Sequence, residues 1–116
     1  MHNFRQLQIW KEGMEVTKQV YWLLARFPAS EKFGLISQIS RCAVSVPSNI
    51  AEGSSRASNK EFAHFLSIAL GSLFELETQL LLSTELEIIN KEELGSIIEI
   101  IIQLQKKISA FRKTLN

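Results

Sequence analysis

The sequence predicts an all-α fold, an antiparallel up-down-up-down four-helix bundle, and three observations carry that prediction. The 116 residues include only two prolines and five glycines, too few turn formers for a chain of many short strands. Apolar residues recur at intervals of three and four along four long stretches. The stretches are joined by short segments with helix stop and start signals, and short connections make successive helices antiparallel neighbours.

The first helix is expected over Leu7 to Phe27, with a heptad-like seam of Leu7, Trp10, Met14, Thr17, Tyr21 and Leu24. Phe27-Pro28-Ala29-Ser30 ends it, because a proline disfavours helical geometry in the residue before it. Ser30 then caps a second helix starting at Glu31, whose apolar positions run from Phe33 through Ile36, Ile39, Cys42, Ala43 and Val46 to Ile50. Pro47 falls inside this pattern. An interior proline costs about 3 kcal/mol, but the series continues past it, so a kinked, continuous helix is expected, with Ser45 or Ser48 satisfying the freed backbone group.

Gly53 to Ala57 reads as a fraying end, and Ser58 with Glu61 three residues on is a capping signature for a third helix from Asn59. That helix carries Phe62, Phe65, Leu66, Ala69, Leu73, Leu76 and Leu80 on one face and reaches about Leu86. Asn90 with Glu93 repeats the capping signature. Leu94, Ile97, Ile101, Leu104, Ile108, Phe111 and Leu115 then give the fourth helix a seam of period near 3.5.

One domain spanning 1–116 is all that this length supports. Thirteen Lys and Arg against twelve acids leave a net charge of +1, which excludes a uniformly polybasic nucleic-acid binder. The charge is uneven: residues 58–88 are net −4, whereas 104–116 carry Lys106, Lys107, Arg112 and Lys113 with no acid. Those four are the candidate phosphate contacts; stabilisation of the helix macrodipole is the duller account of the same cations. The single Cys42 excludes a disulfide framework and reads as a small buried side chain. No secretory signal opens the chain, and the most apolar stretch, Ile97 to Leu104, falls well short of the roughly 20 residues of a membrane span. A soluble, cytoplasmic protein is expected.

Helix one has a second apolar series, Ile9, Val16, Val20, Leu23 and Phe27, and helix four adds Ile100 and Ile102 outside its seam. A bundle buries one stripe per helix, so the surplus points to a homo-oligomer. Ala63, Ser67 and Gly71 on helix three, with Ala43, Pro47 and Ala51 on helix two, suggest a close contact between those helices, which would explain a glycine inside a helix. Gln38, Arg41, Ser45, Asn49, Glu52 and Arg56 form a polar stripe on helix two, and Ser72, Glu75 and Gln79 another on helix three. The stripe is either a solvated outer face or a polar channel or recognition surface, with Arg41 placed to join a buried network with Glu52, Glu75 or Glu77.

Enzyme signatures do not assemble. Glu61-Phe62-Ala63-His64 matches the Glu-x-x-His pattern of di-metal bundles once, without a second copy. There is no phosphate-binding glycine loop and no nucleophile elbow. No catalytic residue, cofactor, metal or small-molecule substrate is therefore expected.

The runs Phe33-Gly34-Leu35, Gln38-Ile39-Ser40-Arg41-Cys42-Ala43-Val44-Ser45-Val46-Pro47-Ser48-Asn49-Ile50-Ala51-Glu52-Gly53 and Phe65-Leu66-Ser67-Ile68-Ala69-Leu70-Gly71-Ser72, with Glu75 and Glu77, resemble a bacterial four-helix bundle family. Its members are called ribosomal S23-like or 23S rRNA intervening-sequence proteins. The resemblance covers nearly the whole chain, and its most specific string is Asn-Ile-Ala-Glu-Gly. It implies a small cytoplasmic bundle without established activity, with related members assembling as rings of five. It also suggests kinship with the accessory protein of diversity-generating retroelements, a pentameric barrel that binds nucleic acid and a reverse transcriptase, although this chain lacks that protein's strongly basic character. The family name reflects reading frames inside rRNA intervening sequences and is not evidence of a ribosomal role. Gln38, Arg41, Ser45, Asn49, Glu52 and Glu75 are its signature positions here. The expected function is a non-enzymatic, homo-oligomeric scaffold for a protein or nucleic-acid partner, the alternative being RNA or DNA binding through the basic C-terminal patch.

Overall fold

A computed structural model describes residues 2–116. The long helices are α1 (Gln8–Leu24), α2 (Leu35–Ser54), α3 (Asn59–Glu85) and α5 (Ile97–Lys113), with a short α4 (Lys91–Leu94) before the last. Each long helix packs against its two neighbours in the order α1, α2, α3, α5 and back to α1. The bundle is therefore a four-cornered, up-down-up-down arrangement measuring 44 × 24 × 19 Å. The chain start lies at the end shared by the last turn of α2 and the start of α3: the His2 amide donates to the Ser54 carbonyl at 3.0 Å. Its ring sits 5.0 Å from Phe62 and 6.1 Å from Phe111.

Most of the third and fourth seams lies in the core as expected, with Phe62, Leu66, Ala69, Leu73, Leu76 and Leu80 on α3 and Ile97, Ile101, Leu104 and Ile108 on α5, whereas Phe65 and Phe111 are only half-buried. Both capping signatures are present. Ser58 Oγ accepts from the Glu61 amide, and Asn90 and Glu93 exchange side-chain and backbone hydrogen bonds at 2.9 Å each. The fourth helix is nonetheless divided, because Gly95 adopts φ +56°, a left-handed conformation that a helix cannot contain. Leu94 and Ile97 on either side of the break are both buried.

Helix one buries its second apolar series, and of the expected seam only Leu24 joins it in the core, with Leu7 and Trp10 packed at its margin. Ile9, Val16, Val20, Leu23 and Phe27 are in the core, whereas Met14 and Tyr21 are exposed and Trp10 and Thr17 half-buried. The two series are equally periodic, and packing against α2 chooses between them. Gly13 is buried opposite Pro47, where an added Cβ would stand 3.5 Å from the proline ring.

Helix two starts four residues later than expected. Ala29–Glu31 form a 3-10 turn, Gly34 precedes α2, and Glu31 Oε1 accepts from the Leu35 amide at 3.4 Å. Phe33 consequently lies outside the helix and is 90% exposed. Helix two does run unbroken through Pro47 to Ser54. The Ala43 carbonyl, which loses the amide that residue 47 would donate, is met by neither Ser45 nor Ser48. Thr17 Oγ1 of α1 reaches it at 3.1 Å while also lying 2.8 Å from the Gly13 carbonyl.

The close approach between α2 and α3 is made at Gly53 and not at Gly71. A Cβ on Gly53 would stand 2.6 Å from Phe65 Cβ and 2.9 Å from Phe62 Cδ1. Gly71 is exposed with nothing within 4 Å, and the small residues of α2, Ala43 and Pro47, are turned toward α1. α3 is long and apolar enough by length and composition to cross a membrane, but it carries Glu75 and Glu77 at mid-length and buries one face among its neighbours.

Candidate functional site

The four sides of the bundle differ in chemistry. On the α2/α3 side the two polar stripes converge, and Gln38, Arg41, Cys42, Ser45, Ser72, Glu75 and Gln79 line an open groove of about 360 Å³. Its floor is internally hydrogen-bonded. The Cys42 thiol donates to the Ser72 carbonyl at 2.9 Å, the Ser45 hydroxyl to the Cys42 carbonyl at 2.9 Å, and the Ser45 and Ser72 hydroxyls are bonded to each other. Asn49 Nδ2 donates to the Ser45 carbonyl at 2.7 Å. Burial pushes the Cys42 thiol up from 9.0 to about 11, with the Glu75 carboxylate adding to the shift. At neutral pH Cys42 is thus a protonated, unreactive thiol, since the thiolate is the nucleophile.

The walls of the groove are less satisfied than its floor. Arg41 is exposed and makes no ion pair among the described residues, so the buried network expected around it does not form. Glu52 pairs instead with Arg56 at 3.0 Å, whose guanidinium lies 4.8 Å from the Phe65 ring centre. Glu77 faces the other way, accepting from Gln105 Nε2 at 2.8 Å on α5. Gln79 Oε1 is buried without a partner among the described residues. The stripe is therefore a solvent-open groove, neither a flat outer face nor an enclosed channel within one subunit.

The basic C-terminal residues are divided between two sides. Lys107 crosses to α1, where its Nζ lies 2.9 Å from Glu12 Oε1. Arg112 donates to Ser67 Oγ at 2.9 Å on α3. Lys106 and Lys113, seven residues and two turns apart, line a groove on the α3/α5 side with Leu70, Phe74 and Ile102. The Glu61 and His64 pair goes to separate tasks. Glu61 Oε1 accepts from Ser58 at the N-cap, and the exposed His64 ring lies edge-on to Phe65 at 5.8 Å. Among the described residues no group of three His, Cys, Asp or Glu is placed to hold a metal ion.

Two opposite sides carry the apolar surplus. On the α1/α2 side, Trp10, Met14, Thr17, Val44, Pro47, Ser48 and Ala51 line a groove of about 350 Å³, with Tyr21 two turns beyond Met14 on the same stripe. On the α3/α5 side, Phe74 is 54% exposed and Leu81 43%. Sequence periodicity found the surplus on helix one but assigned the wrong stripe to it. It missed Phe74, whose position one turn beyond Leu70 and away from the α3 seam was the available signal.

The sequence model of the 23S rRNA-intervening sequence protein family matches residues 5–110. Among solved structures, a protein of unknown function from the S23 ribosomal protein family of Bacteroides thetaiotaomicron is similar, with a TM-score of 0.83 and 26% identity. The match covers 90% of this chain and 98% of that one. No curated protein matches. With its match spanning nearly the whole bundle, this chain belongs to the 23S rRNA-intervening sequence protein family.

Proposed function

We propose that this chain is the repeating unit of a non-enzymatic, cytoplasmic scaffold, a homo-oligomer of about five copies closed by rotation, that holds a protein or nucleic-acid partner. The observation that carries this reading is the pair of opposite apolar sides, with Met14, Tyr21 and Val44 exposed on one and Phe74 and Leu81 on the other. A soluble monomer rarely leaves such contiguous patches uncovered. The polar groove between α2 and α3 is the surface left for a partner when both apolar sides are occupied. Light scattering over a dilution series tests the assembly: a stable mass of about 66 kDa, five times the 13.2 kDa chain, is expected, and a single 13.2 kDa species at every concentration overturns it.

A second reading, RNA or DNA binding through the basic C-terminal segment, is favoured by Lys106 and Lys113, which make no ion pair among the described residues. Its measure is salt dependence. If these two lysines contact phosphate, K106E/K113E lowers affinity for a single-stranded oligonucleotide and flattens the slope of log K against log salt by about two. An unchanged slope removes them from the site.

A further inference from the structure

We infer that the α2/α3 groove binds a small zwitterion, an α-amino acid with a polar side chain, holding its carboxylate on Arg41 and its ammonium group against Glu75 and Gln79. This goes beyond the scaffold reading and does not depend on it. The register of the two helices places these groups. Ser45 on α2 and Ser72 on α3 are level with each other, because their hydroxyls are hydrogen-bonded. The helices run antiparallel, so Arg41, one turn before Ser45, and Glu75, one turn after Ser72, are displaced along the bundle in the same direction by about 5 Å. Gln38 and Gln79 follow about one turn further on, and all four side chains line the groove.

The bonds that the walls leave unmade define the ligand. Arg41 and Glu75 are exposed on facing walls, yet neither makes an ion pair with the other or with any described residue. Gln79 Oε1 is buried without a hydrogen-bond partner among the described residues, which is costly until a donor reaches it. The α3 wall thus presents two acceptors one turn apart, one of them anionic, and the α2 wall presents a guanidinium. An ammonium group, with three donors and no acceptor, answers the first. A carboxylate answers the second, taking the arginine fork with two parallel hydrogen bonds. An α-amino acid carries both groups on one carbon and so bridges two opposite charges that stand too far apart to pair directly. Gln38, on the same wall as Arg41, offers an amide to the ligand's own side chain. A volume of about 360 Å³ is at the lower end of the range for small-molecule sites, which suits a ligand of this size. The floor is already hydrogen-bonded within itself and the Cys42 thiol stays protonated, so the groove holds this ligand without attacking it.

Saturation-transfer NMR on the full chain, which reads weak ligands in any state of assembly, tests this with L-glutamine as the probe. Saturable binding with a dissociation constant of about 1–10 mM is expected. N-acetyl-L-glutamine, without the ammonium charge, and L-glutaminamide, without the carboxylate, should each bind about tenfold more weakly. The variants R41Q and E75Q change exposed positions, and an unaltered helical circular dichroism spectrum verifies that they fold. Each should weaken L-glutamine by a similar factor. The blocked compounds then assign the contacts: R41Q should leave the residual binding of L-glutaminamide unchanged, and E75Q that of N-acetyl-L-glutamine, whereas damage to the fold would lower all three ligands alike. Three results overturn the inference: no saturable signal from L-glutamine up to about 50 mM, blocked compounds that bind as tightly as their parent, or binding indifferent to both variants. Light scattering on the same samples reads assembly separately, so failure of the ligand site with the mass unchanged counts against this inference and leaves the scaffold reading standing.

Discussion

Gly53 and Gly71 are both helical glycines, but they face opposite surroundings, and substitution by alanine separates them. At Gly53 the new methyl group meets Phe65 Cβ at 2.6 Å and Phe62 Cδ1 at 2.9 Å, so overpacking should destabilise the fold by about 1–3 kcal/mol. At Gly71 the methyl enters open space, and the better helix propensity should raise subunit stability by about 0.8–1 kcal/mol. Urea unfolding of the two variants at a subunit concentration below assembly checks both signs. Stabilisation at Gly53, or destabilisation at Gly71, would contradict the packing described. In the sequence Gly53 reads as the start of a fraying helix end and Gly71 as the glycine of a close helix contact, and the packing reverses those roles. Arg41 belongs to the same scale: its spacing from several glutamates is legible, but its actual side-chain direction, out into solvent, is not.

Among the elements, α2 shows how a proline is accommodated by a neighbouring helix. Pro47 deprives the Ala43 carbonyl of its usual amide, and the Thr17 hydroxyl lies 3.1 Å from that oxygen. Thr17→Val should therefore leave a buried carbonyl unpaired, at about 1–3 kcal/mol. In a Pro47→Ala background the alanine amide supplies the missing bond, so the same Thr17→Val change should cost less. A double-mutant cycle by chemical denaturation measures that difference as a coupling energy, and strictly additive effects would show that Thr17 does not serve Ala43. Helix continuity through Pro47 was legible from the uninterrupted apolar series, but its supporting partner, 26 residues away, was not. The break at Gly95 was equally hidden, because Leu94 and Ile97 keep the seam's periodicity on both sides of it.

Across the whole molecule, chemistry is sorted by side. The α1/α5 side is crossed by the Lys107–Glu12 ion pair, which is exposed enough to contribute only about 0.2–1 kcal/mol. The α2/α3 side is polar, and the two remaining sides expose apolar residues, the α3/α5 side with Lys106 and Lys113 at its groove. Assembly through those apolar sides should be nearly independent of ionic strength. The same light-scattering series should give one mass from about 0.05 to 0.5 M salt, whereas a charge-driven assembly dissociates as screening shortens the Debye length. The segregation also explains why the basic C-terminal residues, though contiguous in sequence, do not form one patch: consecutive helical positions point about 100° apart, so Lys106 and Lys107 lie on different sides.

The sequence by itself determined the number of long helices, their antiparallel order, the buried seams of α3 and α5, and the caps at Ser58 and Asn90. These are properties of short stretches, set by periodicity and by backbone groups only a few residues apart. Tertiary structure alone decided which of two equally periodic stripes on α1 became core, which glycine took the close contact, and what replaced the bond lost at Pro47. Each of those choices depends on the rotation of one helix against another, fixed by side chains distant in sequence, and helical spacing within a single segment carries no record of it.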